Sequence, residues 1–255
     1  MSTQNQVSRG VPLDGRDRRR LVEIVEVAAQ LGAPGAVLGV WPRGAYLFAA
    51  DDLRSPAWWF DGAFRWRRVR TRSSRALIAP PAEIAYALSR AGGPRVRVGF
   101  GKDCVRFLGP DGVAEVPGRV VSPRDDAALI SAYEHGPIFA IVQFIADELK
   151  SAVRDVGARG ILELRLVRGP GVDSKWEAYA VNGGERIPLQ TKAVMEPERD
   201  TMGRYNAAIL NTMLSLREKY LGIMFTGSPE SPALFADWME LDTGLRVEFL
   251  VRPLG

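Results

Sequence analysis

Arg16, Arg18, Arg19 and Arg20 fall within five residues, at the head of the stretch RDRRRLVEIVEVAAQLG. Such a density of guanidinium groups suits phosphate binding, because Arg stays charged and presents planar donors to oxyanions. The position is unusual. The stretch turns amphipathic at once, and cations at the start of a helix oppose its macrodipole. A second basic run, FRWRRVRTRSSR, carries Arg65 to Arg75 and interleaves Phe64 and Trp66. It has two readings. The aromatics could stack on unpaired bases, or the run could be a strand with exposed Arg65 and Arg67 followed by a basic loop.

Other reactive residue types are sparse. Asp51-Asp52 and Asp125-Asp126 offer oxygen ligands of the kind Mg²⁺ takes, but both pairs fall in expected loops, where carboxylates usually solvate the chain. The one histidine, His135, precedes Gly136-Pro137 and reads as a turn residue. The one cysteine, Cys104, sits in an alternating segment and reads as a buried, inert thiol. Single copies of each exclude a disulfide framework, a thiolate cluster and a multi-histidine zinc site. GFGK and GPGVDSKW are glycine-bearing turns without the spacing of a dinucleotide or P-loop fingerprint. No nucleophile, base and orienter converge, so neither an enzyme nor a cofactor is expected.

The elements that must carry these residues follow a repeated pattern. The chain has 255 residues, 46% hydrophobic and 25% charged, with a formal net charge of +4. Its basic balance permits a polyanionic partner. No apolar run is long enough to span a bilayer, and MSTQNQVSRG lacks a secretory apolar core, so a cytoplasmic protein is expected. Four times an amphipathic helix is followed by a short break and strands. The first helix has Leu21, Ile24, Val25, Ala28 and Leu31 on one face, then AVLGVW and AYLFAAD. PPAEIAYALSRAGG leads to RVRVGF, DCVRFLG and GVAEVPG. The strand IFAIVQF and helix IADELKSAVRDVG lead to ILELRLV, WEAYAV and RIPLQTKAV. AAILNTMLSLREK leads to YLGIMFT, ALFADWMEL and LRVEFLV. The expected fold is α+β, with two similar domains, residues 1–118 and 137–255, each with two helices on antiparallel sheets. Residues 119–136, RVVSPRDDAALISAYEHG, read as an extended connector.

The order and spacing of these segments resemble the sliding clamps of the proliferating-cell-nuclear-antigen family, in particular archaeal ones. LGVWPRGAYLFAADD, ALIAPPAEIAYALSRAGGPRVRVGFGKDCVRFLG, FAIVQFIADELKSAVRDVGARGILELRLV, GRYNAAILNTMLSLREKYLGIMF and GLRVEFLVRPLG carry the likeness. It implies three two-domain subunits closed into a ring around duplex DNA, with helices lining the hole. The implied DNA-facing cations are Arg16, Arg18, Arg19, Arg20, Arg90, Lys150, Arg154, Arg217 and Lys219. Arg90, Arg217 and Lys219 equally suit helix C-termini, and Lys150 and Arg154 can pair with Asp147, Glu148 or Asp155. The implied subunit edges are Gly112 to Gly118, with Val113, Glu115 and Val116, and Arg186 to Val194, with Ile187, Leu189 and Thr191. Pro117 and Pro188 could instead protect both edges in a monomer. The implied pocket for a partner's hydrophobic peptide comprises Ala50, Asp51, Leu129, Ile130, Pro232, Phe249, Leu250 and Val251. Implied partners are a clamp loader, DNA polymerase, flap endonuclease and ligase. The chain departs from the family in its polar N-terminus, its basic charge and its tail Val251-Arg252-Pro253. These departures suit one member of a mixed ring with more acidic paralogues, a repair or checkpoint scaffold, or a non-encircling protein of the same fold.

Overall fold

The computed structural model describes residues 10–52, 56–66, 71, 74–121, 135–157, 160–169, 176–182, 184–215, 220–240 and 244–255. The chain divides into two compact units. One holds residues up to 133 together with 239–247, and the other holds 134–238 together with 248–255.

The first unit begins with β1 (Val11–Leu13) and helix α1 (Gly15–Gln30). Strands β2 (Gly35–Trp41), β3 (Gly44–Ala50), β4 (Trp58–Arg65) and β5 (Arg75–Ala79) follow. Helix α2 (Pro81–Ala91) then leads to β6 (Val96–Phe100), β7 (Cys104–Gly109), β8 (Gly112–Pro117) and β9 (Arg119–Val121). A small sheet runs β1-β6-β7-β8, and a larger one runs β4-β3-β2-β5-β9. The α1 stripe is buried as expected at Leu21, Ile24, Val25 and Ala28, while Leu31 is half-buried. The helix lies so close to β4 that a Cβ on Gly62 would stand 2.5 Å from Ile24 Cγ2.

The second unit holds β10 (Ile138–Ile145), α3 (Ala146–Val156), β11 (Ile161–Arg168) and β12 (Trp176–Asn182). Strands β13 (Glu185–Leu189), β14 (Thr191–Met195) and β15 (Thr201–Asn206) precede α4 (Ala207–Leu214). The unit ends with β16 (Tyr220–Ser228), β17 (Ser231–Glu240) and β18 (Leu245–Val251), though Met239, Glu240 and Leu245 to Val247 count with the first unit. Its small sheet runs β13-β12-β11-β15, and its larger one runs β14-β10-β16-β17-β18.

The repeat is therefore a strand, a helix and three or four strands, and the modules of each unit interlock. The opening strand of each module pairs in the other module's sheet. In the first unit β1 pairs with β6, Val11 opposite Val98, and β5 pairs with β2. In the second, β15 pairs with β11 and β10 with β16. The second unit is the first with its two modules in reversed order.

Three segments differ from the sequence expectation. RIPLQTKAV is two strands: β13 pairs with β12 in the small sheet, and β14 pairs with β10 in the large one. The bend falls at Gln190, whose N–H donates to Glu148 Oε2 at 2.7 Å. TMGRYN is strand β15, with Thr201, Gly203 and Tyr205 on the buried side. Arg119–Val121, read as the start of the connector, forms β9 against β5. Residues 122–134 of the connector and 216–219 of the expected fourth helix lie outside the described residues.

Candidate DNA face, subunit edges and docking pocket

Helix α1 assigns its four arginines to different tasks. The Asp14 side chain caps the helix by accepting from the N–H groups of Arg16 and Asp17 at 3.0 and 2.9 Å. Arg20 is only 4% exposed and pairs with Asp17, 2% exposed, at 3.6 Å. Its guanidinium also lies 5.7 Å from the centre of the Phe64 ring. This corrects the expectation for Arg20, since a buried, paired guanidinium cannot meet a phosphate. Arg18 Nη2 donates to Leu88 O at 3.3 Å, in the last turn of α2. There it serves a neighbouring helix's carbonyl end, where a cation is favourable. Arg19 is exposed and Arg16 half-buried, on the face that also carries exposed Glu23, Glu26 and Gln30.

Of the other nominated cations, Arg90, Lys150 and Arg154 are on described helices. Arg90 is exposed in the last turn of α2. Lys150 stands 3.9 Å from Asp147 on α3, and Arg154 is exposed, with Nε donating to Lys150 O at 3.3 Å. Arg217 and Lys219 lie outside the described residues. In the second basic run, Phe64 is 1% and Trp66 6% exposed, and their rings meet edge-to-face at 5.2 Å. Trp66 Nε1 donates to Trp41 O. Burial removes these aromatics from any stacking on bases, so this part of the strand reading holds. Residues 67–70 and 72–73 lie outside the described residues.

Among the described residues β8 and β13 are edge strands of their small sheets, and β14 is an edge of the larger one. On β8, Val113 is 63% exposed and Glu115 is exposed, whereas Val116 packs inward at 2%. On β13, Ile187 is half-buried and Leu189 is buried. Thr191 belongs to β14, not to the same strand as Ile187, and β14 also exposes Val194 and Met195. Arg106 Nε donates to Glu115 Oε2 at 2.6 Å, and this bond holds the Glu115 carboxyl below the usual carboxylate range. Burial pushes the Cys104 thiol up, as an inert core thiol requires.

The expected peptide pocket needs a different set of walls. Ala50, Phe249, Leu250 and Val251 are 0–2% exposed and Pro232 is buried, because β18 is covered along most of its length. Asp51 Oδ1 accepts from Ala57 N at 2.9 Å and Trp58 N at 3.3 Å, which ties the end of β3 to the start of β4. Leu129 and Ile130 lie outside the described residues. In the second unit a cavity of about 410 Å³ does open beside these positions, between His135, Thr226, Ser228, Ser231, Arg252 and Pro253. Thr226 is 0% exposed, and its Oγ1 has no hydrogen-bond partner among the described residues. His135 stacks on Phe235 with ring centres 4.5 Å apart, and its Nδ1 lies 2.8 Å from Gly136 O. Sequence reading missed this wall because its residues are small, polar and scattered over three segments. Tyr205 braces it from behind, its buried hydroxyl donating to Pro232 O at 2.8 Å.

Among the described residues there is no cluster of three or more potential metal-ligating His, Cys, Asp or Glu side chains, and no helix is long and apolar enough to cross a membrane. Paired interlocking modules, four helices among the described residues and antiparallel sheets define the DNA sliding-clamp fold. Two solved structures similar to this chain are the DNA polymerase sliding clamp and the DNA polymerase III subunit beta, both from Pseudomonas aeruginosa. The first matches with a TM-score of 0.62 and 14% identity over 96% of this chain, and the second with 0.60 and 15% over 93%. This chain spans about two thirds of each of those proteins, 66% and 65%. Both are bacterial, whereas the sequence resemblance pointed to the archaeal branch; at such identities the likeness carries the fold and not the branch. No family model and no curated protein matches the sequence.

Proposed function

We propose that the chain is one subunit of a ring-shaped DNA sliding clamp that tethers replication or repair enzymes to duplex DNA. The observation that carries this reading is the extent of the fold likeness, 96% of the chain in a single match. The chain has two units, each a pair of interlocked modules, which suits the ring of three two-domain subunits that the sequence resemblance implies. The open strands β8 and β13 are suited to pair across subunits, because an unpaired edge offers its backbone groups to another chain. A clamp needs phosphate attraction without base readout, and Arg16, Arg19, Arg90, Lys150 and Arg154 are the described cations for that role. The 410 Å³ cavity beside Pro253 would receive the partner peptide. The buried Thr226 hydroxyl would then find a polar partner from that peptide. A clamp loader, a polymerase, a flap endonuclease and a ligase are the expected users, and the +4 charge favours a mixed ring with more acidic sister subunits.

Light scattering of the chain alone and mixed with its paralogues tests the assembly. A particle of three times 28.0 kDa in either sample is expected. A chain that stays monomeric in every mixture overturns the ring. In a ring-forming sample, Arg16→Ala with Arg19→Ala should leave the mass unchanged. The slope of log affinity for duplex DNA against log salt should fall by about 0.9 per lost contact.

A further inference from the structure

We infer that the first unit carries a site for an unpaired nucleic-acid strand, away from the α1 face, where GFGK meets the end of the second basic run. A cavity of about 510 Å³ is lined there by Thr71, Arg75, Gly99, Phe100, Gly101 and Lys102, among others. Among the described residues no carboxylate lines it. Several other surface arginines are paired: Arg106 with Glu115 at 2.6 Å, Arg165 with Glu163 at 2.5 Å, and Arg199 with Glu230 at 2.6 Å. Arg75 and Lys102 are exposed, and neither makes an ion pair among the described residues. Two unpaired cations at one concave site leave a positive field that an oxyanion would neutralise.

Phe100 narrows the ligand to a class. It is half-buried at the end of β6 and shares the cavity with both cations. A cationic groove beside an aromatic face is the combination that holds a single strand, because phosphates take the charge and any unstacked base takes the ring. A duplex offers the same phosphates but keeps its bases stacked, so Phe100 would gain nothing from it. The glycines on either side of Phe100 leave the cavity wall without side-chain bulk at those two positions. Nucleic-acid chemistry in this part of the chain thus moves from Phe64 and Trp66, which are core, to Phe100 with Arg75 and Lys102. The inference does not depend on a ring: it holds equally for a monomer.

Fluorescence anisotropy of the full chain with a labelled oligothymidine of about 20 nucleotides, longer than a site of ~4–16 nucleotides, tests it. Arg75→Ser with Lys102→Ser should lower the salt slope by about 1.4, at ~0.7 per single-strand phosphate. Phe100→Leu should weaken binding about fivefold or more, the lower end of a base–aromatic stack. Arg75→Lys should keep the wild-type slope. The unfolding midpoint of each variant identifies any that fails to fold. Oligothymidine binding that survives the double variant overturns the site. So does equal loss of duplex and single-strand binding, or a cavity that responds to inorganic phosphate while the oligonucleotide does not bind.

Discussion

Helices α1 and α3 are the most cation-rich of the described helices, one in each unit, and they handle charge in opposite ways. Helix α3 follows the macrodipole: Asp147 and Glu148 lie in its first turn and Arg154 in its last. Its ion pair opens to solvent on the acidic side, where Asp147 beside half-buried Lys150 is 77% exposed. Helix α1 crowds arginine into the wrong end and has no cation in its last turn. Asp14 and Asp17 restore negative charge there, Arg20 goes into the core with Asp17, and Arg18 crosses to the carbonyl end of α2. Only Arg16 and Arg19 remain on the solvent side. Residue type therefore did not decide which arginines could meet a phosphate; the packing partner of each helix face did.

The largest test of this contrast is Arg20→Ala. It would leave a carboxylate buried at 2% exposure without its guanidinium, which should cost about 3–5 kcal/mol in urea unfolding. Asp147→Ala, which breaks the exposed pair on α3, should cost at most about 0.5 kcal/mol. Equal losses would erase the distinction between the helices. Next in size is Asp14→Ala, expected to cost about 1 kcal/mol by removing the acceptor of two helix N–H groups. Asp14→Asn should retain most of that stability, because the amide oxygen still accepts. Helix α3 has no side-chain cap to lose, since Ile145 runs straight in from β10.

The smallest effect belongs to the β7–β8 edge of the first unit. Arg106 holds the Glu115 carboxyl below its ordinary range. A depressed carboxylate stabilises the fold above its unfolded pKa, and that stability is lost as pH falls through the lower, folded value. Glu115 is half-exposed, so the loss on acidification should stay under about 0.5 kcal/mol and vanish in Glu115→Gln. Thermal unfolding of both proteins at neutral and acid pH measures it. An acid-induced loss of the same size in Glu115→Gln would assign it to another group.

The helices and most hairpins were legible because their periods are strong. Leu21, Ile24, Val25 and Ala28 mark α1, and LRVEFLV coincides with β18. What escaped was either short or had no local signal. Strand β9 has three residues, and the bend between β13 and β14 falls on Gln190, neither Gly nor Pro. Strand β15 alternates correctly, but it runs into α4 through the Asn206 cap without a break. At the candidate sites the helical period of α1 sets Arg16 and Arg19 off the apolar stripe. It could not reveal that Arg20 had found Asp17 and Phe64, because burial of a charge depends on a partner strand far along the chain. The Phe249-Leu250-Val251 run was legible as apolar but not as covered on both sides.

The interlocked modules also bear on how the protein is made. Strand β1 waits for β6, with Val11 opposite Val98. A ribosome adding about 5–20 residues per second leaves the first strand without that partner for on the order of ten seconds. Throughout that interval the nascent chain presents a free backbone edge beside an amphipathic helix. Pairing of β1 with β6 cannot precede elongation past residue 98, so synonymous codon changes between residues 14 and 95 that slow the ribosome should lengthen that interval without altering the folded molecule.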